Sequence, residues 1–467
     1  MKILNRLISL KYFSLLIKTL VLFVLFSLIY IGFSAHATEA GFLKQLRNFN
    51  LANLIVWSYW WPFLVVSSIF FGRIWCMICP IEMITSFASL IGLKKERPAW
   101  LKSGWMITIF YILILFVGIN GFAIHRSPMY MAIYLSVIVG LSILIGLIYK
   151  KNTFCKYVCP IGILLGLYSR FSFLGWRVKA NDSCASCKDK SCVSKIDLYR
   201  VNEKSCGVDL FPKNIADNSE CILCGGCRKV CDKNNSENFS TRPNPGFVKL
   251  KLKGSLFSKL ELTAAELAFT MIISGFVIYE ILSEWSVTKS ILMFTPKALN
   301  NSLAISNHFV AGFLKSVVLF VVFPFIIWTI PYLISKIFKE KISFLQYLKS
   351  FAAGFIPIMA AAHLCKAVLK MTSRIPYFEH VFSNIDGLQN TQLFLKGQIS
   401  MFTLGQQPQL MISVLLILLI GLGIFVSSIT IKKLNSTLNI ENKAIMYLIP
   451  IVYGLIFLAT ILQWRFQ

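Results

Sequence analysis

The chain has 467 residues, 56% of them hydrophobic, and a mean hydropathy of +0.69. Soluble domains average about 45–50% apolar, so a chain built only of soluble domains is excluded. The formal net charge of +27 would suit nucleic acid, but Lys and Arg fall between long uncharged stretches, which is the positive-inside pattern of a membrane protein with no nucleic-acid partner.

A membrane-crossing helix needs about 20 apolar residues. Nine segments qualify, at roughly 19–35, 51–72, 104–123, 129–149, 262–283, 308–334, 350–371, 408–430 and 444–463. Lys2, Arg6, Lys11 and Lys18 precede the first. Lys94, Lys95, Arg97 and Lys102 follow the second, and Lys150 and Lys151 the fourth. Alternate loops carry few basic residues. This predicts a cytoplasmic N-terminus, a cytoplasmic cysteine-rich segment and an external C-terminus. The first segment, ending near Ala35-His36-Ala37, also has the features of a signal peptide.

Twelve of the thirteen cysteines lie between Cys76 and Cys231. Their spacing points to metal ligation, because a disulfide scaffold would be short and secreted. Cys365 stands alone in an apolar stretch and reads as a packed core thiol. The first four cysteines form a weak internal repeat. Gly72-Arg73-Ile74-Trp75-Cys76-Met77-Ile78-Cys79-Pro80 recurs as Asn152-Thr153-Phe154-Cys155-Lys156-Tyr157-Val158-Cys159-Pro160. Each copy ends a pair of spans. Cys76, Cys79, Cys155 and Cys159 are therefore a candidate third cluster or metal site at the membrane surface.

From about 176 to 250 the chain is polar and holds eight more cysteines. The last four form Cys221-Ile222-Leu223-Cys224-Gly225-Gly226-Cys227-Arg228-Lys229-Val230-Cys231. This C-x2-C-x2-C-x3-C run is the ligand pattern of a bacterial [4Fe–4S] ferredoxin. Where two clusters are present, the fourth cysteine of each run serves the other cluster. That rule groups Cys221, Cys224 and Cys227 with Cys206, and Cys184, Cys187 and Cys192 with Cys231. Gly225 and Gly226 let the backbone approach the cluster. The first run departs from the pattern as C-x2-C-x4-C, and Gly207 and Asp232 stand where proline is usual. Paired zinc sites are the alternative, since C-x2-C pairs also make zinc ribbons.

These features together resemble the membrane-bound polyferredoxins of the NapH and NosR type. The resemblance covers about residues 50–235 and rests on both C-P motifs and the eight ferredoxin cysteines. It implies a carrier that moves electrons between the quinone pool and a partner redox protein or reductase complex. The flavin-binding domain of the NosR type has no counterpart in this sequence, which brings the NapH type nearer. The five spans after residue 260 lie outside the simpler family core.

Ionisable residues within spans are functional candidates by default. His363 and Lys366 share a helix face, as do His308 and Lys315. His308, His363 and Lys366 are candidates for a quinone, haem b or metal site in the outer half. The competing reading has the lysines snorkelling and the histidines bonding to backbone. Glu261 and Glu266 open the fifth span, as proton acceptors or as complements of the helix N-terminus.

The resulting expectation is a mainly α, polytopic membrane protein with an inserted ferredoxin-like 2[4Fe–4S] segment. Residues 1–175 form a membrane domain, 176–250 the cluster domain and 251–467 a second membrane domain. It would sit among the lipids of a prokaryotic cytoplasmic (inner) membrane, an electron-transfer component and not a stand-alone enzyme. A maturation factor for an exported metalloenzyme, or an iron–sulfur sensor, are the alternatives.

Overall fold

The computed structural model describes residues 10, 12–178, 184, 187–188, 190–194, 205–215, 217–229, 247–250, 262–337, 342–438 and 444–466. Cys231 and Glu261 lie outside them. The fold is mainly α-helical. Among the described residues, seven helices are long and apolar enough to cross a membrane: Phe13–Ser34, Leu51–Phe71, Pro128–Ile148, Ala264–Leu282, His308–Ile337, Phe344–Val381 and Gln406–Leu434. They match seven of the nine expected segments. Of the other two, 444–463 falls on the 23-residue helix Ala444–Phe466, and 104–123 on the shorter apolar helix Trp105–Gly121.

The boundaries differ where packing intervenes. The first helix begins at Phe13, which places Lys18 inside it and not ahead of it. The stretch Ile114–Gly121 is π-helical, and its end lies against the helix starting at His308. A Cβ on Gly121 would come within 2.6 Å of the Phe309 ring, and one on Gly312 within 2.1 Å of the Asn120 carbonyl oxygen. A further helix, Ser286–Ser302, was not expected; it is polar enough to escape a search for spans.

The chain forms two compact units of interleaved segments. The first comprises 1–30, 66–107 and 132–259 and holds every described cysteine except Cys365. In it, the short strand Leu174–Arg177 pairs antiparallel with Phe247–Leu250, with Trp176 opposite Val248. Met77, Leu174, Trp176 and Leu223 form a small buried core, with Ile74, Cys221 and Cys227 packed against it. The hydrophobic support of the cysteine run is thus drawn partly from the C-P segment.

The second unit comprises 31–65, 108–131 and 260–467. Its centre is the helix Phe344–Thr372, buried along most of its length. The loop 373–407 is partly ordered as short helices, and Phe49 packs against Tyr377 and Phe394 from it.

Candidate iron–sulfur site

In each C-P motif the second cysteine caps a helix. Cys79 precedes Pro80–Ile91 and Cys159 precedes Pro160–Ser169, with proline at the first helical position. Proline suits that position because its missing N–H would have had no intrahelical partner. The next N–H groups are free to point outward. Those of Ile81 and Glu82 donate to the Cys79 sulfur, and those of Ile161 and Gly162 to the Cys159 sulfur. The motif therefore aims a helix N-terminus at a thiolate, where negative charge is favoured.

The two motifs meet. The four cysteines are near enough that charge at Cys76 raises the pKa of Cys79, Cys155 and Cys159. Burial first, then Cys76 and Cys159, pushes the Cys79 thiol up to about 12. Burial and Cys76 push Cys159 up to about 11. Cys155 is also pushed well above its ordinary value, by burial and then Cys159. Four adjacent thiolates repel one another in such a place unless a cationic centre lies among them.

Arg73 stands beside them, 8% exposed. Its guanidinium hydrogen-bonds to the Cys76 thiol. It also donates to the carbonyl oxygens of Ser219 at 3.1 Å and Glu220 at 3.5 Å, immediately before Cys221. Burial alone would lower its pKa, but the thiols at Cys76, Cys159 and Cys155 reverse that and raise it.

The second group is Cys206, Cys221, Cys224 and Cys227. Burial pushes Cys221 up to about 12, with Cys224 and Cys206 adding to it. Cys227 is raised well above its ordinary value by burial and then by Cys206, Cys224 and Cys221. This is the quartet that the ferredoxin rule groups together. Backbone N–H groups again face the sulfurs: Leu223 donates to Cys221, and Val208 and Leu210 to Cys206. The N···S distance from Leu210 is 3.4 Å. Leu223 and Gly225 have φ of 55° and 70°. That left-handed backbone is natural for Gly225 but strained for Leu223. Strain of this kind collects at ligand-holding turns.

Of the remaining set, Cys184 and Cys192 are buried and Cys187 is half-buried. The N–H of Cys206 donates to the Cys192 carbonyl oxygen at 2.7 Å, and Cys192 adds to the charge that raises Cys227. Their expected partner, Cys231, lies outside the described residues.

The donor set fits [4Fe–4S] clusters. Among the described residues, no three His, Cys, Asp or Glu side chains converge tightly enough to share a single metal ion. A cubane spreads its thiolates over separate irons and is stabilised by N–H groups aimed at sulfur.

Salt bridges fasten the Cys206 turn to the membrane-side loops. Asp209 pairs with Arg97 and, at 2.6 Å, with Lys151. Both cations are about 4% exposed at their side chains. The Gly207 carbonyl oxygen accepts from the Asn152 N–H at 3.2 Å. A Cβ on Gly207 would come within 2.5 Å of the Asn152 side chain, so glycine, not proline, is the residue that fits after Cys206.

The three other candidates separate. His308 starts its helix in an exposed position and lines a cavity of about 320 Å³ with His125, Arg126, Glu280 and Lys315. His363 is buried between the rings of Trp61 and Phe276. Lys366 is ion-paired with Glu280 and Glu284 and does not snorkel away. Glu266 closes a capping box with Thr263, which is the helix N-terminal role weighed for it. Sequence reasoning missed Arg73 as a charge partner and missed Glu82. The available signal was a single acid in the apolar run after Cys79-Pro80.

Residues 53–98 and 131–180 match the family described as 4Fe-4S binding domain. These stretches contain the two C-P motifs. The chain thus carries a 4Fe-4S binding domain, which supports a general redox role based on [4Fe–4S] chemistry. An uncharacterized protein of Methanocaldococcus jannaschii is 27% identical over 221 residues, covering 45% of this chain and 81% of that one. The methylamine utilization ferredoxin-type protein MauN of Paracoccus denitrificans is 25% identical over 169 residues, 33% of this chain and 56% of that protein. Protein NirI of the same organism is 23% identical over 195 residues, 36% of this chain and 26% of its own length. No solved structure matches.

Proposed function

We propose that this protein carries electrons between the quinone pool and a partner redox protein in a prokaryotic cytoplasmic membrane. Three [4Fe–4S] clusters would serve: one on Cys206, Cys221, Cys224 and Cys227, one on Cys184, Cys187, Cys192 and Cys231, and a third on Cys76, Cys79, Cys155 and Cys159. The cysteine face would be cytoplasmic, as the basic loops suggest. When bound, the clusters supply one-electron transfer. The chain's own part is to hold the thiolates, aim N–H groups at the sulfurs and exclude water.

The observation that carries this reading is Arg73. One buried guanidinium touches the Cys76 thiol and the carbonyl oxygens just ahead of Cys221. A side chain that contacts both cysteine segments supports a relay of carriers through them. The ferredoxin-type description of MauN supports the same chemistry.

The test is anaerobic purification, iron and sulfide analysis, and EPR during addition of menaquinol or dithionite. About twelve irons, at four per cluster, with signals that quinol induces, is the expected result. About eight would remove the C-P cluster. Bound zinc, or clusters that quinol never reduces, would overturn the electron-carrier reading.

A further inference from the structure

The first unit contains a cavity of about 540 Å³ whose wall is almost wholly apolar. It is bounded by the helices Phe13–Ser34, Pro80–Ile91 and Pro128–Ile148, through residues such as Leu15, Leu22, Phe87 and Leu147. Pockets of about 300–1,000 Å³ with apolar walls and a few converging polar groups are the usual form of a small-molecule site.

Four polar residues line it, Ser14, Lys18, Glu82 and Ser86, and the last three belong to one network. Lys18 and Glu82 form an ion pair with side-chain exposures of 6% and 2%. Ser86 donates within the same network, 3.0 Å from Glu82 and 2.8 Å from the Asn152 side-chain oxygen. A buried ion pair is costly beside pure hydrocarbon, and one inside a membrane-spanning helix is a functional candidate by default. Lipid tails filling this cavity would offer these groups nothing. A ligand with a polar head and an apolar tail would satisfy both parts.

The location adds the second argument. Glu82 belongs to the C-P helix whose N-terminal N–H groups face the Cys79 sulfur, and its charge also acts on Cys155. The polar end of the cavity therefore adjoins the C-P quartet.

Resting on the electron-carrier reading above, we infer that this cavity is the quinone site. A ring oxygen accepts from Lys18 or Ser86, the quinol hydroxyl donates to Glu82, and the isoprenoid tail runs along Leu15, Leu22 and Leu147. The cavity's volume accommodates a one- or two-ring quinone with the first part of its tail.

The test is photolabelling of the intact protein in nanodiscs with an azido-quinone, adducts being mapped by mass spectrometry. Adducts on residues 14–22 and 82–91, displaced by unlabelled menaquinone, are expected. Leu15→Trp or Met83→Trp, which fill the cavity, should abolish labelling while iron content stays at the parental value. Lys18→Met should weaken competition by about tenfold or more, the scale of one lost charge-assisted hydrogen bond. Adducts confined to other segments, or labelling of this cavity only by a photoreactive phospholipid, would overturn the assignment. Quinol that reduces the clusters equally well in the filled variants would overturn the site while leaving the carrier reading intact. Specific labelling here in a protein whose clusters quinol never reduces would uphold the site and overturn the carrier reading.

Discussion

Arg73 illustrates how much one side chain can set. Reduction adds negative charge to a cluster, and a neighbouring guanidinium stabilises that charge. Arg73→Met should make the adjacent cluster harder to reduce. A hydrogen bond to a charged group is worth about 1.5–3 kcal/mol, which corresponds to a downward shift of about 65–130 mV for a one-electron couple. An EPR-monitored redox titration reads this directly, and Arg73→Lys should recover part of it. His125 offers a pH signature. Burial, reinforced by the charges of Lys370 and Arg126, pushes its imidazole down to about 3 from an ordinary 6.5. The folded protein thus resists protonating a group that the unfolded chain protonates readily. Its contribution to stability is complete above pH 6.5 and is lost as pH falls towards 3. Thermal unfolding midpoints should fall across that interval, and His125→Phe should flatten the decline. The buried Nδ1 of His125 has no hydrogen-bond partner, so the variant removes little else.

Among the elements, the helix Phe344–Thr372 shows a local rule broken and repaired. Pro357 lies inside it, where proline normally costs a backbone hydrogen bond. The next N–H, that of Ile358, donates to the Ser427 hydroxyl at 3.1 Å, on the helix Gln406–Leu438. Ser427→Ala should leave that buried donor unpaired and cost about 1–3 kcal/mol. A lowered thermal midpoint with unchanged iron content is the expected outcome, because the second unit carries no cluster cysteine. The C-P helices show the opposite case, where sequence and structure agree. The sequence placed each C-P motif after a pair of spans, and the structure begins a further helix at each proline, Pro80 and Pro160. Trp105–Gly121 follows its expected extent closely, and the close approaches at Gly121 and Gly312 are what no local propensity signals.

For the molecule as a whole, the decisive quantity is how many clusters it holds and which cysteines hold them. Cys155→Ala should remove about four irons and leave the ferredoxin signals in place. Cys224→Ala should remove about four irons from the ferredoxin segment instead. Iron analysis of the two purified variants distinguishes them. Equal and complete loss in both would mean that the quartets form a single folding unit. That outcome is physically reasonable here, because Arg73 and the core around Trp176 join the two sets.

Metal-ligand runs and membrane spans are local properties of a chain. Cysteines two or three residues apart must share one turn, and about twenty apolar residues must cross or be buried. The sequence therefore determined the membrane class, the nine apolar segments on which helices form and the two kinds of cysteine motif. It could not determine which distant groups meet. Glu82 finds Lys18 across 64 positions, and Lys366 finds Glu284 across 82. The meeting of the two C-P motifs, the ion pair beside the apolar cavity and the pairing of Lys366 were decided by the tertiary structure. A buried charge can be placed only where the fold supplies its partner, and that partner is set by helix packing, not by spacing along the chain.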